Sequence, residues 1–131
     1  MLKQYVFIPK NLRMSLGKAC SQACHASYFA LELQRKDERS YRRDLLDTWK
    51  ENGMCVVILE VKDVTALFGI EKYCTTWGII HYLYVDEGLT EVDGMTPTCL
   101  ATGIIEEAQQ ETIFNQFKVY TTRRRKGGKN V

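Results

Sequence analysis

Met54-Cys-Val-Val-Ile-Leu-Glu-Val61 decides the fold, because it is a nearly continuous run of apolar and mostly β-branched residues. Such a run predicts a central strand that is covered on both faces. Asp63 follows as a helix N-cap, and the helix is expected to end at about Trp77. A second apolar stretch, residues 79–85, leads directly into Asp86. We therefore expect a strand–helix–strand unit in the middle of the chain.

One strand and two helices are expected before this unit. Residues 4–9 resemble a strand that ends at Pro9, and Ser15 is a suitable N-cap for a helix that runs to about residue 36. The second helix covers residues 40–52 and ends at Asn52-Gly53. The expected inward positions are Ala19, Ala23, Ala26, Ala30 and Leu33 in the first helix and Tyr41, Leu45, Leu46 and Trp49 in the second.

The C-terminal part completes the pattern. A loop over residues 87–97 precedes a strand at 98–104, a helix at 106–117 and a short edge strand at 117–120. The order β-α-α-β-α-β-β-α predicts the α/β class: a single three-layer α/β/α domain, residues 1–121, with a small mixed four-stranded sheet. Residues 122–131 form a basic tail that is too polar to fold alone, and we expect it to be flexible.

Composition is that of an ordinary soluble domain. The chain has 131 residues, of which 45% are hydrophobic and 26% charged. No run approaches the roughly 20 apolar residues of a membrane-spanning helix, and the N-terminus lacks the features of a signal peptide. A cytoplasmic location, without membrane association, is the expectation.

The five cysteines do not suggest a disulfide framework, because their number is odd and they are scattered. Cys20, Cys24 and His25 invite a metal interpretation, but His25 lies about 100° around a helix from Cys24. No further cysteine or histidine pair completes four ligands. We expect small buried thiols that pack a helix, no metal and no other cofactor.

Basic residues are unevenly placed although the net charge is only +2. They form three clusters, which could bind a polyanion such as RNA or could equally be solvated faces and a disordered tail. The clusters are Lys10 and Arg13; Arg35, Lys36, Arg39, Arg42 and Arg43; and Arg123, Arg124, Arg125, Lys126 and Lys129.

The first chemical motif is residues 14–26, where Lys18, Gln22 and His25 are spaced to share one helix face. A lysine near a helix N-terminus is disfavoured by the helix dipole, so its position indicates a partner charge or a substrate anion. His25 suits a hydrogen-bonded core position or a catalytic role. Gly17-Lys18 does not make a phosphate-binding loop, because Leu12 stands at the first glycine position and Ala19 follows the lysine.

The second motif is Asp86-Glu-Gly-Leu-Thr90, followed by Thr98. Asp86 could simply cap a turn with Gly88, but the topology brings both motifs to one end of the sheet. An anion, a cation and two hydroxyls there suit hydrolysis of an activated acyl group. Neither a GxSxG elbow nor a protease-like cysteine motif is present, which favours direct attack by water.

The first motif, extended to residues 12–26, reads Leu12-Arg-Met-Ser-Leu-Gly-Lys-Ala-Cys-Ser-Gln-Ala-Cys-His-Ala26. It resembles the signature L-x-M-x-x-G-K-x-x-x-Q-x-x-H-A of the archaeal/eukaryotic-type (family II) peptidyl-tRNA hydrolases. Residues 86–90 resemble the family's D-x-G-x-T, and Gly94 and Thr98 its following G-x-x-x-T. Trp49 and Gly53 match its L-x-x-W-x-x-x-G. The resemblance covers about residues 4–120.

The resemblance implies a compact α/β hydrolase, expected to be a homodimer, that cleaves the ester between a peptide and the 3′-terminal ribose of tRNA without a cofactor. The catalytic positions it implies are Lys18, Asp86, Thr90 and Thr98, with Gln22 and His25 in support. Gly17, Gly88, Arg13 and Lys10 are the expected substrate-binding residues.

Five positions depart from the family pattern. Positive or polar groups common in the family are replaced at Leu89, Glu91 and Val56, and Asn11 and Ile105 replace an aspartate and a proline. The basic tail could compensate through salt-dependent phosphate contacts. The alternatives are a tRNA- or protein-binding module on the same fold with weakened catalysis, and an interaction partner with no RNA role.

Overall fold

The computed structural model describes residues 1–88, 91, 92 and 94–121 of the chain. Four strands and four helices follow one another in the predicted order, and Lys10–Leu12 adds a short 3-10 turn after the first strand. The elements are β1 (Lys3–Pro9), α1 (Leu16–Arg35), α2 (Ser40–Glu51), β2 (Val56–Val61), α3 (Val64–Thr76), β3 (His81–Asp86), β4 (Thr96–Ile105) and α4 (Ala108–Phe114).

The sheet has the strand order β2-β1-β4-β3, in which β1 and β2 are parallel and β4 is antiparallel to both β1 and β3. Helices α1 and α2 cover one face, and α3 and α4 cover the other. This arrangement confirms the predicted α/β domain with a mixed four-stranded sheet. In the part of the chain that is described, no helix is long and apolar enough to cross a bilayer.

The run that predicts a central strand lies instead at the edge of the sheet. Strand β2 pairs with β1 on one side only, and Val56 is exposed. An antiparallel bridge between Leu59 and Val119 covers part of its outer edge, with Glu60 N–H donating to the Lys118 carbonyl at 2.8 Å. Apolar residues in β2 therefore reflect packing against both helix layers and this C-terminal segment, not a central position.

Strand β1 divides the core into two layers, because its side chains alternate between the two faces. Tyr5 and Phe7 pack towards α3 and α4, whereas Val6 and Ile8 pack towards α1. The part of α1 that faces the sheet is rich in alanine: Ala19, Ala23, Ala26 and Ala30 are all buried. Small side chains let this helix lie close to the sheet.

Two of the residues predicted to face the core do not do so. Leu33 is exposed and the next residue, Gln34, is buried in its place; Tyr41 is also exposed. Gln34 satisfies its amide inside the fold, since its Nε2 donates to the Arg42 carbonyl at 2.8 Å and its Oε1 accepts from Ile104 N–H at 2.7 Å. The amide therefore links α1, α2 and β4.

The two predicted helix N-caps are confirmed, whereas the last helix is shorter than predicted and covers Ala108–Phe114. The Ser15 hydroxyl accepts from the Lys18 N–H at 3.2 Å, and the Asp63 carboxylate accepts from the Ala66 N–H at 2.9 Å. These caps satisfy backbone donors that the first turn of a helix leaves unpaired. The Ser15 cap begins α1 immediately before the first chemical motif.

Gly103→Ala tests the close packing around Gln34. A methyl group at this position would lie 2.5 Å from Gln34 Oε1 and 3.1 Å from Ile80 Cβ. Because Gln34 is held by hydrogen bonds at both ends of its amide, we expect a loss of about 1–3 kcal/mol in the free energy of unfolding. Denaturant titration followed by circular dichroism measures it.

Gly69→Ala is the matched control, because Gly69 lies exposed within α3 and an added methyl group meets nothing within 4 Å. The alanine reduces the backbone freedom of the unfolded chain and should therefore raise the free energy of unfolding by about 0.5–1 kcal/mol. Equal stabilities for the Gly103→Ala and wild-type proteins would contradict the packing described here.

Candidate active site

The two chemical motifs meet where α1 begins and β3 ends. Lys18 Nζ lies 3.0 Å from Asp86 Oδ1, and each side chain is only 11% exposed. The N-cap at Ser15 places Lys18 in the first turn of α1, and Asp86 is the last residue of β3. Asp86 is thus the partner charge that the position of Lys18 indicates.

Asp86 also caps the turn that follows β3, so the interpretation of this residue as a turn cap is confirmed. Its Oδ2 accepts from the Gly88 N–H at 2.9 Å. Gly88 has a φ of 78°, and a Cβ there would lie 2.5 Å from the Gly94 backbone nitrogen. Only glycine fits this turn without strain, and the turn fixes the second carboxylate oxygen.

Three influences set the charge of Asp86. Partial burial acts to raise the pKa of its carboxyl, but the hydrogen bonds from Lys18 and from the Gly88 N–H lower it, and the net pKa lies below the ordinary value. The positive charge of Lys18 adds to the lowering. Asp86 is therefore an anion at neutral pH, held by a donor on each oxygen.

Gln22 and Thr98 make the second polar contact between α1 and the sheet. The Thr98 hydroxyl donates to Gln22 Oε1 at 2.5 Å, and the Thr98 side chain is 0% exposed. Gln22 lies one helical turn after Lys18 and is also buried. The pair ties α1 to β4 from within, beside the helix turn that carries Lys18.

His25 occupies a different environment from the other two polar residues of its motif. Lys18 is mostly buried, Gln22 is buried and His25 is exposed, so the interpretation of His25 as a core residue is wrong. Its ring stacks on Tyr84 with 4.8 Å between centroids and 16° between planes. Its Nε2 lies 3.5 Å from the Ser21 hydroxyl.

The remaining predicted residues are dispersed. Gly17 and Arg13 are exposed near the start of α1, and Arg13 has a φ of 49°. The Lys10 ammonium is used within the fold: it donates to the Thr121 carbonyl, lies 3.8 Å from Glu60 and sits over the Tyr120 ring. Thr90 and Leu89 lie outside the described residues.

Glu91 is a residue whose part in the site the sequence does not reveal. Its carboxylate accepts from both the backbone N–H and the hydroxyl of Ser15, and these hydrogen bonds lower its pKa. The contact ties the loop after β3 to the N-terminus of α1, where a negative charge is favoured by the helix dipole. No local sequence signal marks it, because the two residues are far apart in the chain.

The cysteines do not contribute a nucleophile beside Thr98. Burial raises the pKa of the Cys99 thiol far above its ordinary range, so it stays protonated. Cys20 and Cys24 are exposed, so their interpretation as buried thiols is wrong. Among the described residues, no group of three or more His, Cys, Asp or Glu side chains could hold a metal ion.

The geometry suits the addition of water to an activated carbonyl group. An ionised carboxylate can orient a water molecule, and an adjacent ammonium can stabilise negative charge that develops on an acyl oxygen. Both groups are partly withdrawn from solvent, which strengthens their electrostatic effect.

Comparison with known proteins gives a consistent result over nearly the whole chain. The family described as "Peptidyl-tRNA hydrolase PTH2" matches residues 2–120. The peptidyl-tRNA hydrolase of Nanoarchaeum equitans is 32% identical over 121 residues, which cover 92% of this chain and 100% of that protein. The Methanothermobacter thermautotrophicus and Thermoplasma acidophilum enzymes of the same name are 30% and 26% identical, over 90% and 89% of this chain and 99% and 97% of their own lengths.

Lys18→Met should raise the pKa of Asp86, because it removes a hydrogen bond and a positive charge while burial of the carboxyl remains. A lowered carboxyl pKa contributes stability above the unfolded-state pKa of about 3.9, and this contribution is lost as pH falls through the folded-state pKa. NMR titration of the ¹³C-labelled carboxyl measures the shift directly.

Lys72→Met, on the exposed side of α3, is the matched control and should leave the Asp86 titration unchanged. An Asp86 pKa that does not rise in Lys18→Met would show that the ion pair does not determine the charge of the carboxyl.

Proposed function

The chain belongs to the PTH2 family of peptidyl-tRNA hydrolases, and we propose that Lys18 and Asp86 form its catalytic centre. The protein is a hydrolase that acts on peptidyl-tRNA. The bond to be cleaved is the ester between the peptide and the terminal ribose. The observation that carries the assignment of residues is the 3.0 Å contact between Lys18 Nζ and Asp86 Oδ1 at the meeting point of the two motifs.

Asp86 is proposed to orient the attacking water. The water oxygen adds to the ester carbonyl carbon, and its proton passes towards Asp86. The tetrahedral oxyanion then collapses, the bond to the ribose oxygen breaks, and that oxygen takes up the proton. A carboxylate with a lowered pKa is a weak base. Asp86 therefore contributes mainly by orienting the water and by stabilising the positive charge that develops on the water as it attacks.

Lys18 is proposed to act through its charge in two ways. It keeps Asp86 ionised, and it stabilises the oxyanion that forms on the acyl group. The position of its side chain depends on the start of α1, which Glu91 holds through Ser15. Glu91, which departs from the family pattern, is thus proposed to position the first turn of α1.

The two threonines are proposed to have different roles. Thr98 donates its hydroxyl proton to Gln22 and is fully buried, which favours positioning of α1 over contact with substrate. Thr90, close to Asp86 in the sequence, is the proposed donor to the acyl carbonyl or the ribose end. His25 and Gln22 are the proposed supporting residues.

Binding of the RNA backbone is proposed to involve Arg13 and the basic residues 122–131. Thr121, the last described residue, is held beside Lys10 at the end of β1, which is the same end of the sheet as Asp86. Lys10 therefore holds Thr121 in place and need not itself contact phosphate. We further propose that the protein is a homodimer and acts in the cytoplasm. Sedimentation tests the first statement, and cell fractionation tests the second.

Asp86→Asn and Lys18→Met should each lower the single-turnover rate of N-acetylaminoacyl-tRNA hydrolysis about 10²- to 10⁴-fold. The reason is loss of the group that orients water in one case and of the charge that stabilises the oxyanion in the other. Quenched-flow separation of free and acylated tRNA measures the rate.

Asp47→Asn and Lys72→Met make the same chemical changes at exposed positions on α2 and α3, and both should react at the wild-type rate. Wild-type rates in both site variants would overturn the assignment of catalytic residues. Binding of tRNA by the wild-type protein without ester cleavage would instead support the binding-module alternative.

A further inference from the structure

Four aromatic side chains form a continuous stack at the outer edge of the sheet, beside the proposed catalytic centre. We call it the aromatic ladder; its rings, in order, are those of His25, Tyr84, Phe29 and Tyr82. The centroid distances are 4.8 Å for His25–Tyr84, 6.3 Å for Tyr84–Phe29 and 4.8 Å for Phe29–Tyr82. The rings are nearly parallel, with interplanar angles of 16°, 13° and 27°.

The ladder follows from the register of two elements. His25 and Phe29 are four residues apart on α1, and Tyr82 and Tyr84 are two residues apart on β3, so each pair lies on one face of its element. Because β3 is the edge strand next to β4, the rings from helix and strand interleave at the border of the sheet. His25 and Phe29 are exposed, and both tyrosines are partly exposed.

The helix and the strand that carry the ladder also carry the Lys18–Asp86 pair. Tyr84 precedes Asp86 by two residues, which is about 7 Å along a strand, and His25 follows Lys18 by about 10 Å along the helix. His25 is the ring at the end of the ladder. The electrostatic effect of His25 contributes to the lowered pKa of the Asp86 carboxyl.

We propose that the ladder is the binding platform for the 3′-terminal nucleobase of the substrate, which stacks as a further ring on the His25 end. This inference rests on the proposed function. The terminal ribose carries both the ester and the base, so a base held at His25 leaves the ester next to Asp86. Single-stranded RNA ends are commonly bound by stacking on aromatic and histidine side chains.

A nucleobase suits this surface better than a protein partner does. The rings form a single row where α1 lies beside β3, and the row ends in an imidazole. A second copy of the chain over the row would lie close to the Lys18–Asp86 pair, which the substrate must reach. A flat base adds one ring to the end of the stack and is itself part of the substrate.

The experiment compares two acceptor-stem RNAs, each with an N-acetylaminoacyl ester on its terminal ribose. One RNA ends in adenosine, and the other has an abasic ribose in the same position. For the wild-type protein, kcat/KM should be at least about tenfold higher for the adenosine substrate. His25→Ala should lose most of this preference, whereas His25→Phe, which keeps a ring for stacking, should retain it.

Tyr41→Ala is the matched control, because Tyr41 is an exposed aromatic residue that lies in a cleft with Ile79 and Ile105 at the opposite end of the sheet. It should retain the full preference for adenosine. His25 is exposed, so its replacement should leave the fold intact, and circular dichroism verifies this.

Three outcomes would overturn the proposal. One is an equal preference for adenosine in the wild-type and His25→Ala proteins, with hydrolysis intact, which refutes the base platform alone. Another is a wild-type protein that hydrolyses neither substrate, which refutes the proposed function as well. The third is conversion of a dimer into a monomer by Phe29→Ala in sedimentation, which would make the ladder an interface between copies.

Discussion

Close packing of the alanine face of α1 against the sheet is the constraint on which the rest of the structure depends. The alanines lie in one buried cluster with Val6, Ile8 and Ala101 of the two central strands. Because the small alanine side chains let the helix lie close to the sheet, short polar contacts can form between them: 3.0 Å from Lys18 to Asp86 and a buried hydroxyl–amide hydrogen bond one turn later. A larger residue in the alanine face would push the helix outward and lengthen both contacts.

The charges around the start of α1 balance one another. Lys18 stands in the helix turn where the dipole disfavours a cation, and Asp86 offsets this cost with a direct ion pair. Glu91 adds a second carboxylate at the same helix end, bound to Ser15. An ion pair of this kind is costly to bury, and charged groups withdrawn from water are common at functional sites, which supports the catalytic role proposed for the pair.

Much of the fold is predictable because it depends on local signals: alternation or helical periodicity of apolar residues, and N-caps such as Ser15. Strand order is not local, and residues 54–61 look central although they form an edge that residues 118–120 partly cover. Periodicity also cannot say whether a partner covers the end of a helix face, as Leu33 shows. The contact of Glu91 depends on a loop that reaches back across the chain, and no pattern in the sequence encodes it.

Lys18 and Asp86 are proposed to work as one catalytic unit in this peptidyl-tRNA hydrolase. A double-mutant cycle on the single-turnover rate tests it most directly, with Lys18→Met, Asp86→Asn and the combined variant. If each residue needs the other, the combined variant should be no slower than the slower single variant, because the first change already disables the pair. Rate losses that multiply in the combined variant would contradict the claim and would show two residues that act independently.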